Sequence, residues 1–215
     1  GRLRWLTREE ANSLIEAAKV LPRDGHPAFH LADFIVLALH TGCRSGELLG
    51  LEWDRVDLRN NLIRLEAKHT KSGKGRSVPI NGTARAVLLN RARHRAEHCP
   101  DSPWVFVHSN PHWKGQRIHS VKKSFAAACK RAQLEDCTPH TLRHTCASWM
   151  VMAGRPLMEV RDILGHSTVK MTERYAHLAP ENLRNAVNVL EDRSHSGHTG
   201  LCGVKTDGSG RVVSS

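Results

Sequence analysis

Residues 138–154 read TPHTLRHTCASWMVMAG, and this stretch anchors the reading of the chain. Its spacing predicts a helix over 141–153, with Gly154 just past its end to take the left-handed turn that closes many helices. His140 and Arg143 stand three residues apart, so they share one face at the helix start, where the helix dipole favours an anion. His140 and His144 stand four apart, as in zinc-protease helices. That motif needs a glutamate directly after the first histidine, and Thr141 stands there, so no metal site is expected.

Helical periodicity continues on both sides. Upstream, residues 118–132 place Ile118, Val121, Phe125, Cys129 and Ala132 on one stripe and leave Lys122, Lys123, Lys130 and Arg131 outside it. Downstream, helices are expected over 156–164 (closed by Gly165), 168–178 and 181–190. Nearer the start, Thr7-Arg8-Glu9-Glu10 is a capping box that opens a helix over 8–20. A second helix is expected to open at Pro27 and stop at Gly42, with a short third through Glu47, Leu48 and Leu49. Residues 53–58, 62–67 and 76–80 are short and β-prone, with turn chemistry between them, which predicts a three-stranded antiparallel sheet. A further helix is expected over 83–98. The fold class is therefore mainly α (α+β): a helical domain over 1–192 with one small sheet. Residues 193–215, rich in Ser, Gly and His, read as a flexible tail.

The chain has 215 residues with 40% hydrophobic and 25% charged, ordinary values for a packed globular domain. Lys and Arg number 32 against 21 Asp and Glu, a net charge of +11, which favours a polyanionic partner such as nucleic acid. No run approaches the length of a membrane span, and the first residues do not form an export signal, so no membrane association is expected. The six cysteines are scattered, without CxxC pairs, and read as small core residues in a reducing compartment. A cytoplasmic, nucleoid-associated location follows as the expectation.

Four segments carry candidate chemistry. Arg44 directly follows a helix-ending Gly42-Cys43, where backbone N–H groups and a guanidinium converge on an anion-sized space; an ordinary surface arginine has the same local sequence. Glu47, one turn on, is placed to buttress Arg44. Lys71 sits on the hairpin between the second and third strands, where a lysine can deliver a proton, although most turn lysines are simply solvated. His140 and Arg143 form the third segment. The fourth is Leu164-Gly165-His166, nine residues before Tyr175, the only tyrosine in the chain. Tyr175 fits either a core position beside Met171 and Leu178 or a phenol presented as a nucleophile.

Together these segments stand in the order Arg44, Lys71, His140-x-x-Arg143, His166, Tyr175, and at this point the sequence resembles the tyrosine recombinases, the phage-type integrases. The resemblance runs from Leu6 to about Leu190. It includes LTREEANSLIEAA, TGCRSGELLGLEWDRVDL, TKSGKGRSVPI, TPHTLRHTCASWM and LGHSTVKMTERYAHL. Cys43 occupies a position where a bulkier apolar residue is common, which touches none of the chemistry.

The resemblance implies an enzyme that cleaves and rejoins double-stranded DNA through a 3′-phosphotyrosyl link, with Tyr175 as nucleophile. Arg44 and Arg143 would clamp the non-bridging oxygens, Lys71 would protonate the 5′-oxygen, and His140 would manage the tyrosine proton. His166 would hydrogen-bond the phosphate, and Glu47 would support Arg44. Two fixed guanidiniums supply the charge that a metal supplies elsewhere, and the phosphotyrosyl bond stores the energy of religation, so no cofactor is implied. Full-length members assemble as synaptic tetramers on DNA and carry an amino-terminal core-binding domain, which is expected to be absent here. Arg117, Lys122 and Lys123 are the candidates for DNA contact at the start of the helix over 118–132. A type IB topoisomerase-like enzyme and a catalytically silent DNA-binding module are the competing readings.

Overall fold

The computed structural model describes residues 3–20, 29–67, 73, 75–180 and 187. The chain divides into two units, Gly1–Pro180 and Glu181–Ser215, and the architecture below is that of the first. The expected helix over 181–190 and the tail over 193–215 lie outside the described residues except at position 187.

Helix α1 (Arg8–Ala18) opens on the expected capping box: the Thr7 hydroxyl accepts from the Glu10 N–H, and the Glu10 carboxylate accepts from the Thr7 N–H at 2.8 Å. It buries Ala11, Leu14 and Ala18, and ends at Ala18 rather than residue 20. Helix α2 (Phe29–Thr41) carries Leu31, Phe34, Ile35, Leu37 and Leu39 into the core. Pro27, its expected first residue, is outside the described residues. Helix α3 (Ser45–Leu49) follows directly.

The sheet has the expected order. Strands β1 (Val56–Asp57), β2 (Leu62–Leu65) and β3 (Arg76–Pro79) lie side by side and antiparallel, with Val56 opposite Ile63 and Leu62 opposite Pro79. The first strand is shorter than expected because residues 53–55 wind into a 3-10 turn. Helix α4 (Gly82–His98) is capped by Asn81, whose side chain accepts from the Ala84 N–H.

Helix α5 (Lys122–Arg131) starts four residues later than the apolar spacing suggested. Ile118 and Val121 are buried as expected, but the Ile118 N–H is taken by the Phe106 carbonyl, which holds the segment before the helix in extended form. Helix α6 (Pro139–Met152) begins two residues earlier than expected, because the Thr141 hydroxyl caps the Thr138 N–H at 3.0 Å and Pro139 fits the first turn. Helix α7 (Leu157–Leu164) ends on left-handed Gly165. The expected helix over 168–178 is broken into α8 (Lys170–Glu173) and a 3-10 turn at Ala176–Leu178, and Tyr175 sits at the junction.

One core lies among α1, α2, α4, α5, α6 and the sheet. A second, smaller one joins Ala147 and Val151 of α6 to Val160 and Leu164 of α7 and to Tyr175. Cys43, Cys99, Cys129 and Cys146 are buried, as small core residues should be. Two glycines make the α2, α7 and β3 junction possible. Gly42 has φ +62, and a Cβ there would lie 2.5 Å from Leu164; Gly165 has φ +65, and a Cβ there would lie 2.7 Å from Arg76.

Candidate active site

A cleft of about 410 Å³ opens where the α2–α3 turn, the start of α6 and the segment after α7 meet. Its walls include Arg44, His140, Arg143, His144, His166 and Tyr175. Five of the six expected catalytic residues are thus brought together from four separate segments. The sixth, Lys71, lies outside the described residues.

Arg143 points inward from the second turn of α6 and is only 3% exposed. Its two terminal nitrogens donate to the carbonyls of Gly42 and Leu164, each at 2.7 Å. The guanidinium therefore ties together the two glycine turns that frame the cleft. Burial, reinforced by the nearby Arg44 charge, lowers its pKa to about 10, so it stays charged at neutral pH.

Arg44 lies at the start of α3, with Glu47 directly behind it, as expected. The Arg44 side chain donates to one Glu47 oxygen at 2.9 Å, and its backbone N–H donates to the other at 2.8 Å. Burial works to raise the Glu47 pKa, but hydrogen bonds from Arg76 and from the Arg44 backbone outweigh it and hold the carboxyl below its usual range. Arg76 was not among the expected site residues. From β3 it holds both Glu47 oxygens, at 2.8 and 3.1 Å, and donates to the Ile163 carbonyl at 3.2 Å.

His166 is fixed through Nδ1 to the buried Thr172 hydroxyl at 2.9 Å. Burial, with Arg143 and Arg44 adding repulsion, lowers it to about 4. Tyr175 is 1% exposed and belongs to the second core, and it also lines the cleft. Burial raises its pKa despite the opposing pull of Arg143.

The residue hydrogen-bonded to the phenol was missed in the sequence. His144 Nδ1 lies 2.6 Å from the Tyr175 hydroxyl, and its ring packs edge-on against His140 with centroids 4.5 Å apart. Burial, then the neighbouring His140, lowers His144 to about 4, so it is a neutral imidazole. The four-residue spacing of His140 and His144 was the available signal, but it pointed toward metal binding.

Of the three expected DNA-contact residues, none lines the cleft. Lys122 and Lys123 are exposed and stand in the first turn of α5, because the helix starts one turn later than expected. The Nε of Arg117 donates to the Leu49 carbonyl at 2.8 Å, and its guanidinium packs over the Trp104 ring at 5.0 Å.

A helical domain with a small sheet, and two arginines and a tyrosine around one cleft, defines a recognisable class. The sequence profile of the phage integrase family matches residues 4–182, and the chain belongs to that family. It is 34% identical over 191 residues to the integrase of Salmonella phage P22, covering 85% of this chain and 46% of that protein. It is 32% identical over 168 residues to the tyrosine recombinase XerC of Corynebacterium glutamicum, covering 76% and 52%. The chain thus spans about half the length of the curated relatives it matches. Among solved structures, the catalytic domain of bacteriophage HP1 integrase superposes with a TM-score of 0.66 at 27% identity, covering 90% of this chain and 98% of that one. The mainly α fold expected from sequence is the fold of these domains.

Proposed function

We propose that this chain is the catalytic domain of a site-specific recombinase that cleaves and rejoins double-stranded DNA through a 3′-phosphotyrosyl intermediate. The observation that carries this reading is one cleft lined by Arg44, Arg143 and the only tyrosine, Tyr175. The net charge of +11 suits a polyanionic substrate.

In this reading the scissile phosphate sits between Arg44 and Arg143, whose fixed charges stabilise the negative charge that grows on the non-bridging oxygens. Fixing them in advance matters, because Arg143 is already held by two carbonyls and Arg44 by Glu47. His166, with Nδ1 taken by Thr172, has Nε2 left for a phosphate oxygen. Tyr175 attacks phosphorus, the bond to the 5′-oxygen breaks, and Lys71 supplies the proton to that oxygen. Religation by a 5′-hydroxyl reverses the steps, so the phosphodiester energy is conserved and no nucleotide cofactor enters. The integrases and recombinases to which the chain is similar support this reading, as does a transposon integrase of the same fold solved with circular-intermediate DNA. Self-association as a tetramer on paired DNA sites, in association with the nucleoid, belongs to the same proposal.

The test is strand exchange. Incubation with paired duplexes selected by the protein from a randomised library should yield Holliday-junction or exchanged products. Relaxation of supercoiled DNA without exchange would favour the topoisomerase-like activity, and binding without cleavage would favour a silent module.

A further inference from the structure

We propose that Trp113 and the basic loop around it form a second DNA-contact surface, where the indole packs against the sugars of a duplex seated in the cleft. This inference rests on the proposed DNA substrate and assigns a contact outside the catalytic site. Of the five tryptophans Trp113 alone is exposed, at 50%, while Trp5, Trp53, Trp104 and Trp149 are partly buried. A single exposed apolar side chain is ordinary, so what matters is how this one is held and what surrounds it. Residues 111–113 form a 3-10 turn capped by Asn110, whose side chain accepts from the His112 N–H at 2.9 Å. The Trp113 N–H donates to the Asn110 carbonyl, and the Trp113 carbonyl accepts from the Gln116 N–H at 2.9 Å. Gly115, at φ +78, turns the chain back, and its carbonyl accepts from the Ser102 hydroxyl at 2.7 Å. His112 packs edge-on against the indole with centroids 4.8 Å apart. An aromatic ring presented on so well-tied a loop loses little freedom on binding.

The surroundings suit a polyanion. Between Asp101 and Glu135 the sequence has no acidic residue and six Lys or Arg, and Lys114, next to the indole, is exposed. The loop is also tied to the site. Arg117, four residues after Trp113, donates to the Leu49 carbonyl at the end of α3, and Arg44 stands at the start of that helix. Five helical residues rise about 7 Å and four extended residues span at most about 14 Å, so the loop lies within about 30 Å of Arg44. One turn of B-DNA covers about 34 Å, so a duplex seated at Arg44 is long enough to meet both. There Lys114 neutralises a phosphate, and the indole displaces water from the neighbouring sugars, a contact that carries no base preference.

The experiment titrates this chain into fluorescent duplexes of randomised sequence, about three helical turns long, at several salt concentrations. Trp113→Ala should weaken binding by about tenfold with the salt slope unchanged, since an apolar contact releases no counterions. Lys114→Ala should weaken binding and flatten the slope by about one unit. Trp113→Phe, which keeps a ring, should recover most of the loss. Heparin, a polyanion without deoxyribose, should bind the wild type and Trp113→Ala alike. An affinity of folded Trp113→Ala within about twofold of wild type, or an equal loss toward heparin, would overturn the inference. So would a DNA-free dimer that Trp113→Ala dissolves, which would make the loop a contact between copies of the chain. Unchanged binding by Trp113→Ala beside covalent capture by the wild type would leave the proposed function intact. Duplex binding that needs Trp113 but never leads to capture would support this contact and overturn that function. A wild type that binds no duplex would overturn both.

Discussion

Arg76 reaches from strand β3 to grip both carboxylate oxygens of Glu47, at 2.8 and 3.1 Å, while Glu47 in turn holds Arg44 at 2.9 Å. The Glu47 side chain is 2% exposed and that of Arg76 10%. One buried carboxylate therefore spaces two guanidiniums of like charge, and the same Arg76 rests against Gly165 and the Ile163 carbonyl beside His166. The charge arrangement of the cleft is built from behind.

Glu47→Ala should thus destabilise the domain strongly, by about 3–5 kcal/mol, since it leaves buried arginine uncompensated. Arg76→Ala should do much the same, and the double variant should cost clearly less than the sum. Denaturant unfolding of the four proteins gives the coupling; simple additivity would show that the pair is not a unit.

Arg44 and Arg143 should separate in a way their common role does not suggest. Arg44→Ala should abolish cleavage, by about a hundredfold or more, with little change in stability. Arg143→Ala should lose cleavage and also stability, because the Gly42 and Leu164 carbonyls lose their donors, at about 1–3 kcal/mol for each buried group left unpaired. Thermal melts decide this. Equal melting temperatures for the two variants would contradict the structural role of Arg143.

Acid should weaken the fold before it titrates ordinary surface carboxylates. His30, His94, His144 and His166 all have pKa values lowered to about 4, with burial the first cause in each. A histidine whose folded pKa lies below its unfolded value of about 6.5 takes up protons more readily when unfolded. Its stabilisation is complete above about pH 6.5 and is lost as pH falls toward 4. Asp33, raised to about 6 by burial, acts in the opposite direction, its contribution being lost as pH rises through 6. Four groups outweigh one, so the melting temperature should hold steady from about pH 8 to 6.5 and then fall toward pH 4. A rise over that lower range would contradict these assignments.

Most of the fold was legible because its signals are local. The Thr7–Glu10 box, the glycine at the end of α7 and the β-prone runs and turn residues of the sheet each depend on a few adjacent residues. Where the reading slipped, distant partners decided. Ile118 and Val121 keep helical spacing and are buried, yet the Phe106 carbonyl takes the Ile118 N–H and delays α5 to Lys122. The site residues Arg44, His140, Arg143, His166 and Tyr175 were legible as an ordered set. Arg76 and His144 were not, because their roles exist only across space. Arg76 meets Glu47 across 29 positions and Ile163 across 87, and His144 meets Tyr175 across 31. Arg117 was placed near DNA from its position just before the expected helix over 118–132, and in the structure its Nε donates to the Leu49 carbonyl, a contact 68 positions away that the local sequence does not show.

Lys122 and Lys123, exposed in the first turn of α5, should each engage a DNA phosphate. Replacing both by alanine should weaken DNA binding and flatten the slope of log affinity against log salt, by about one unit for each phosphate no longer neutralised. Titrations at several salt concentrations measure this directly, and an unchanged slope would return that helix face to solvent.

The central claim is that Tyr175 attacks DNA. The most direct measurement is covalent capture: incubate this chain with nicked duplexes of randomised sequence in EDTA, denature, and identify the linked peptide by mass spectrometry. The account predicts a phosphotyrosyl adduct on the peptide containing Tyr175 and none with Tyr175→Phe, a variant that leaves the chain without any tyrosine. An adduct on another residue, or one that persists in Tyr175→Phe, would contradict it.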